Sequence, residues 1–203
     1  PRLLPRLAIA MSDAHRIGVV GLGLIGGSLV RALVARGRDV VVSTRSPTTR
    51  AVVAGLGAVV LDGPGAVARA ADVIVVATPL PVLADTVEEI ARAIDPATDH
   101  PTITDVGSVK APIAGAVRRS LGDPSTFVPG HPMAGTEQAG WDAGSSDLFS
   151  GACWALAVDQ PVDLERWAAV ASLAVDVGAT VVPVDPVEHD DAVARISHLP
   201  YVL

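Results

Sequence analysis

From Arg16 onward, short apolar runs alternate with stretches whose apolar residues recur at helical spacing. Ile17-Gly18-Val19-Val20 is a short run closed by glycine and predicts a buried strand. Residues 28–35 are apolar at helical spacing and stop at Gly37, as a helix does before a left-handed cap. Val40-Val41-Val42 predicts a second strand. Residues 47–54 predict a helix with Ser46 as its N-cap, because a serine oxygen there can accept an otherwise unpaired backbone N–H. Residues 58–61 predict a third strand and residues 65–71 a short helix. Asp72-Val73-Ile74-Val75-Val76-Ala77 is the clearest strand of the chain. Residues 81–94 carry apolar positions at Val82, Leu83, Val87, Ile90 and Ile94 and predict a helix. Residues 102–106 then predict a strand and residues 111–121 a helix. Phe127-Val128, residues 154–158 and residues 180–184 predict later strands, with a helix over 164–177 between the last two. Strands apolar on both faces, each followed by a helix, imply an α/β protein: a doubly wound, mostly parallel sheet covered on both sides, of Rossmann type.

The organisation expected is an N-terminal extension over residues 1–15, a dinucleotide-binding domain over 16–185, and a new helical stretch from 186 to 203. Pro183 and Pro186 mark the boundary. The extension is too short in its apolar part for a secretory signal, since Arg2 and Arg6 interrupt it, and Met11 could be the true start. Composition narrows the function classes. Half of the 203 residues are apolar and 18% are charged, which suits a folded globular chain. The net charge of −7 comes without a basic stripe, which excludes a nucleic-acid partner. No apolar run reaches the roughly 18 residues a membrane helix needs, since glycines break residues 17–30 and prolines break 73–84. The single cysteine, Cys153, permits no intrachain disulfide, fits a reducing cytoplasm, and reads as a buried structural thiol in an apolar run.

Gly21-Leu22-Gly23-Leu24-Ile25-Gly26 matches G-x-G-x-x-G between the first predicted strand and the first predicted helix, the context a dinucleotide loop requires. Gly21 permits the tight turn, Gly23 lets a pyrophosphate approach the backbone, and Gly26 lets helix and strand pack closely. The second strand runs into Ser43-Thr44-Arg45-Ser46, where no acid stands to bind ribose hydroxyls. Thr44 and Arg45 could hold a 2′-phosphate instead, so the cofactor is NAD or NADP, with NADP favoured. Thr78-Pro79 follows the strongest strand and should shape the loop beside the cofactor.

Polar residues gather in three further segments: Asp105-Val106-Gly107-Ser108-Val109-Lys110, Gly130-His131-Pro132-Met133-Ala134-Gly135-Thr136-Glu137, and His189-Asp190 with Ser197-His198-Leu199-Pro200. The first two each follow a predicted strand, so they should project from the same sheet edge as the glycine loop. His131 is the best acid–base candidate, because imidazole titrates near neutrality. Ser108 can donate and accept hydrogen bonds beside it.

Together with the glycine loop and Thr78-Pro79-Leu80, these D-x-G-S-V-K, G-x-H-P-M-A-G and S-H-L-P segments resemble the prephenate/arogenate dehydrogenase family, in the family's order and from Arg16 to the end. The resemblance implies an enzyme of tyrosine biosynthesis. Hydride leaves the hydroxyl-bearing ring carbon of prephenate or arogenate for NAD or NADP, the ring carboxylate departs as carbon dioxide, and the ring becomes aromatic. It implies that His131 accepts the hydrogen bond of the ring hydroxyl and that Ser108 assists there. It places Ser197 near the nicotinamide and the substrate, and Thr136, Glu137 and Tyr201 around the substrate.

Many prephenate-specific members carry a histidine where this chain has Tyr201, so prephenate and arogenate both stay open. The family continues into an all-helical domain that forms a homodimer and supplies an arginine for the ring carboxylate. This chain is expected to contain only the start of that domain, and so to be truncated. The fold alone would also allow a β-hydroxyacid dehydrogenase or an imine reductase, against which the His131 and Ser197 segments argue. A chain that binds nucleotide without turnover is the remaining alternative.

Overall fold

A computed structural model of the protein describes residues 15–97, 100–159, 161 and 163–195. The chain runs β1 (Ile17–Val20), α1 (Leu24–Ala35), β2 (Val40–Ser43), α2 (Pro47–Leu56), β3 (Val59–Val60), α3 (Pro64–Ala68), β4 (Val73–Val76), α4 (Leu80–Ala93) and β5 (Thr102–Asp105). It continues through α5 (Ala111–Ser120), β6 (Phe127–Val128), β7 (Gly130–Met133), β8 (Cys153–Ala157), α6 (Leu164–Asp176), β9 (Thr180–Val184) and α7 (Pro186–Val193). Six strands form one all-parallel sheet in the order β3-β2-β1-β4-β5-β6. The order reverses between β1 and β4, and a doubly wound sheet opens a crevice at such a point, outside the carboxyl ends of its strands.

The register places those ends level. Val20 is paired with Ser43 on one side and Val76 on the other, and Val76 with Asp105. The glycine loop, Thr44, Ala77 and Val106 therefore all leave the sheet at one edge. Alternate residues of each strand feed two cores, as the two-residue period of a strand requires. Ile17, Val19, Val40, Val42, Val73 and Val75 pack on one face with Leu29 and Leu33 of α1 and Val170 and Leu173 of α6. Val20, Val41, Ile74 and Val76 pack on the other with Val67 of α3, Leu83, Val87 and Ile90 of α4, and Val117 of α5. Each such side chain, fully buried, contributes about 1.5–3 kcal/mol.

Three features differ from the sequence reading. The first helix begins at Leu24, inside the glycine loop, rather than at residue 28. Gly26 and Gly27 are poor helix formers in isolation, but neighbouring groups exclude a side chain there: a Cβ would sit 2.0 Å from the Gly21 carbonyl oxygen at Gly26 and 2.8 Å from the Trp141 ring at Gly27. Second, Gly130–Met133 forms a strand, although its polar composition reads as a loop. It pairs antiparallel with β8, and β8 pairs parallel with β9, so a second, three-stranded sheet stands beside the first. Third, Cys153 is half-buried rather than buried.

Ser46 caps α2 as the sequence suggests, its hydroxyl accepting the Thr49 N–H at 3.2 Å. The long connection between β7 and β8 packs against α1. Ser145 donates its N–H to the Ser28 hydroxyl at 3.0 Å, and the Arg31 guanidinium lies 4.1 Å above the Trp141 ring. The helical stretch expected after Pro186 is α7, and it docks on α5. No described helix is long and apolar enough to cross a membrane.

Candidate active site

The glycine loop turns through Gly21, whose φ of +92° suits only glycine and whose absent Cβ would meet the Ala77 carbonyl oxygen at 2.7 Å. Its N–H donates to the Ser43 carbonyl at 2.9 Å, while Ala77 donates to Val20 at 2.7 Å, which ties the ends of β2, β1 and β4 together. Gly23 stands at the N-cap of α1, where a Cβ would meet nothing within 4 Å. No side chain caps this helix end, so its free N–H groups and partial positive charge face open space. This cradle fits a pyrophosphate.

A cavity of about 840 Å³ extends from the loop. Gly21, Leu22, Gly23, Leu24 and Ile25 line it, with Thr44 and Arg45 beyond β2, Thr78 and Pro79 beyond β4, and Val106 and Gly107 beyond β5. Gly26 lies buried behind the loop as the close helix–strand contact. Arg45 is exposed and, among the described residues, makes no hydrogen bond or ion pair. Thr78 is half-buried, with its hydroxyl 3.5 Å from that of Thr86, and the exposed Pro79 is the N-cap residue of α4. The sequence reading missed the outer wall of this cavity, where Asp85, Thr86 and Glu89 of α4 stand. They read there as the solvated face of an amphipathic helix.

Next to Val106 and Gly107, a buried ion pair joins the two sheets. Asp105 ends β5 and is fully buried, as is Lys110. The Lys110 ammonium donates to Asp105 Oδ2 at 2.5 Å and to the Gly130 carbonyl at 2.5 Å. Asp105 also accepts the Gly107 N–H at 2.9 Å and the Gly130 N–H at 3.0 Å. Only glycine fits at 130, because a Cβ would lie 2.9 Å from the Asp105 carbonyl oxygen. Burial pushes the Lys110 ammonium below its usual value, against the opposing pull of Asp105 and, less, Asp190. The clamp seats the turn that carries Ser108 against the start of β7, whose second residue is His131. Both Ser108 and His131 are half-buried and lie outside the cavity lining.

His131 meets a group that the sequence reading singled out as polar but gave no role. Its Nδ1 lies 2.9 Å from His189 Nε2, and His189 Nδ1 lies 2.9 Å from Asp190 Oδ1. Asp190 in turn accepts the N–H groups of Lys110 at 2.7 Å and Ala111 at 2.9 Å, at the start of α5. Burial works to raise the Asp190 carboxyl, but these two N–H groups and then His189 outweigh it and hold it below its ordinary value. The signal in the sequence was a His-Asp pair in the first turns after Pro186.

Thr136 and Glu137 are exposed beyond β7, and the Thr136 hydroxyl accepts the Gln138 N–H at 3.2 Å. Neither lines the cavity. Ser197 and Tyr201 lie outside the described residues. Burial pushes the Cys153 thiol up, which disfavours the thiolate and suits an unreactive role.

Comparison with known proteins gives the same reading. The family model described as "Prephenate dehydrogenase, nucleotide-binding domain" matches residues 29–183. A cyclohexadienyl dehydrogenase of Zymomonas mobilis is 33% identical over 198 residues, which cover 95% of this chain and 66% of that protein. The crystal structure of prephenate dehydrogenase from A. aeolicus, in complex with hydroxyphenyl propionate and NAD+, matches with a TM-score of 0.83 at 26% identity, over 93% of this chain and 66% of that one. Synechocystis arogenate dehydrogenase matches with a TM-score of 0.82 at 33% identity, over 92% and 66%. The chain thus spans just under two thirds of the length of these three relatives. It belongs to the prephenate dehydrogenase family, of which it carries the nucleotide-binding domain.

Proposed function

We propose that the protein carries out an NAD(P)-dependent oxidative decarboxylation of prephenate or arogenate, with His131 as the proton acceptor. The observation that carries this reading is the buried Asp105–Lys110–Gly130 clamp, which joins the Ser108 turn and His131 to the sheet edge that bears the glycine cradle. When bound, NAD(P) supplies a hydride acceptor. The N–H groups at the start of α1 hold its phosphates, and Thr78 and Pro79 shape the loop beside it. His131 accepts the proton of the ring hydroxyl as hydride leaves the same carbon. That proton becomes more acidic as the ketone forms, so a neutral imidazole lowers the barrier. Ser108 hydrogen-bonds at the same hydroxyl. Carbon dioxide then leaves, its bonding electrons completing the aromatic ring. Thr136 and Glu137, on the exposed turn beyond β7, contribute contacts to the substrate; Ser197 and Tyr201, which the family resemblance adds to them, lie outside the described residues.

NADP is the favoured cofactor, because Arg45 lines the cavity beyond β2, unpaired among the described residues, where an acid would otherwise bind the ribose. The assignment of His131 is tested by His131→Asn. Turnover of prephenate or arogenate, followed at 340 nm, should fall roughly 100-fold or more while cofactor affinity holds, given the usual contribution of a general base. An unchanged rate removes His131 from the chemistry. Turnover of simple 2-hydroxy acids instead would reassign the substrate class.

A further inference from the structure

The chain of contacts behind His131 determines which of its nitrogens can act as a base. Asp190 is an acceptor on both oxygens, because the backbone N–H groups of Lys110 and Ala111 point at them from 2.7 and 2.9 Å. His189 Nδ1, 2.9 Å from the same carboxylate, must therefore carry a proton. A neutral imidazole has one donor and one acceptor nitrogen, so His189 Nε2 is then the acceptor. His131 Nδ1 lies 2.9 Å from it and must donate, which leaves the lone pair of the His131 ring on Nε2. The two rings stand edge to face, with planes 80° apart, and His189 is almost fully buried.

We propose that His189 and Asp190 are positioning residues that hold His131 as its Nδ1–H tautomer, with Nε2 as the proton-accepting atom. This rests on the reading of His131 as the base. Nε2 takes the hydroxyl proton, His131 becomes an imidazolium, and its Nδ1–H stays bonded to His189. His189 and the Asp190 carboxylate then stabilise the new positive charge without themselves changing protonation state, as a buried carboxylate does behind other catalytic histidines. The opposite arrangement is a doubly protonated His189 donating to His131 Nδ1. It would leave a proton on Nε2 of a neutral His131 and no base. Among the described residues, Asp190 on α7 and Lys110 at the head of α5 are charged groups beside the pair, the latter turned toward Asp105.

The test is long-range proton–nitrogen NMR of the chain labelled with 15N-histidine, near neutral pH. The expected result is a protonated Nδ1 and an unprotonated Nε2 on His131, with a correlation across the hydrogen bond from His131 Nδ1 to His189 Nε2. In His189→Phe, the preference for the Nδ1–H form should be lost. Turnover should drop by roughly 100-fold, with KM nearly unchanged because His189 does not touch substrate. A protonated Nε2 on neutral His131, or the same tautomer in His189→Phe, overturns the proposal. The unmodified chain's spectrum decides by itself if the variant fails to fold. An inactive chain that shows the expected spectrum would count against the proposed reaction and leave the positioning intact.

Discussion

At the scale of single residues, the glycines of the cofactor loop separate two demands that one motif combines. Gly23 faces open space, whereas Gly26 is pressed on the Gly21 carbonyl oxygen. Gly23→Ala should therefore leave thermal stability nearly unchanged and weaken binding of reduced cofactor, measured by fluorescence titration, because the methyl group occupies the phosphate approach. Gly26→Ala should lower stability by about 1–3 kcal/mol, the usual cost of forcing atoms into a packed site. Equal stability losses in the two variants would show that the loop does not divide its work this way. Arg45 is a third residue whose role can be read singly. Arg45→Ala should raise the Kd for NADP by roughly 10- to 150-fold, since a hydrogen bond to a charged group contributes about 1.5–3 kcal/mol, and should leave NAD binding nearly unchanged. Equal losses for both cofactors would remove the 2′-phosphate assignment.

At the scale of elements, the strands buried on both faces were legible and the pairing around the site was not. Val40-Val41-Val42 and Val73-Ile74-Val75-Val76 are continuous apolar runs, so β2 and β4 follow from composition alone. Gly130-His131-Pro132-Met133 has no such run. It is a strand because the Asp105–Lys110 pair grips its first residue and β8 lies alongside, and both conditions are set by distant parts of the chain. The glycine loop was legible because its chemistry is local. The contact of His131 with His189 spans 58 positions and depends on how α7 docks, so no spacing rule shows it.

That docking predicts an acid response. Asp190, held below its ordinary value of 3.8, stabilises the α5–α7 contact fully above pH 3.8, and the contribution fades as pH falls through its lower folded value. Asp190→Asn should thus melt below the unmodified chain at neutral pH, and the gap should close as pH drops under 3.8. A gap that stays constant down to pH 2.5 would mean the carboxylate's charge does not hold the helix.

At the scale of the whole molecule, two sheets share one buried ion pair. Lys110 bonds both to β5 of the parallel sheet and to β7 of the mixed sheet. Replacing it with methionine leaves Asp105 buried without its cation, and breaking such a pair costs about 3–5 kcal/mol. Urea unfolding of Lys110→Met should show a lower midpoint by that measure. The double variant Asp105→Asn with Lys110→Met should recover part of it, because neither member then leaves an unmatched charge. A midpoint unchanged in the single variant would show that the sheets hold together by their apolar faces alone.

The Asp190 contact also bears on where the molecule can be divided. The loop between β9 and α7 looks like a natural place to cut, since the last strand is complete and a proline opens the next helix. A fragment ending there would keep the glycine cradle and all nine of the described strands, and would serve as a nucleotide-binding scaffold. It would lose His189 and Asp190, the side chains proposed to fix the tautomer of His131. On that proposal, nucleotide binding and the orientation of His131 part company where the eight-residue helix α7 begins.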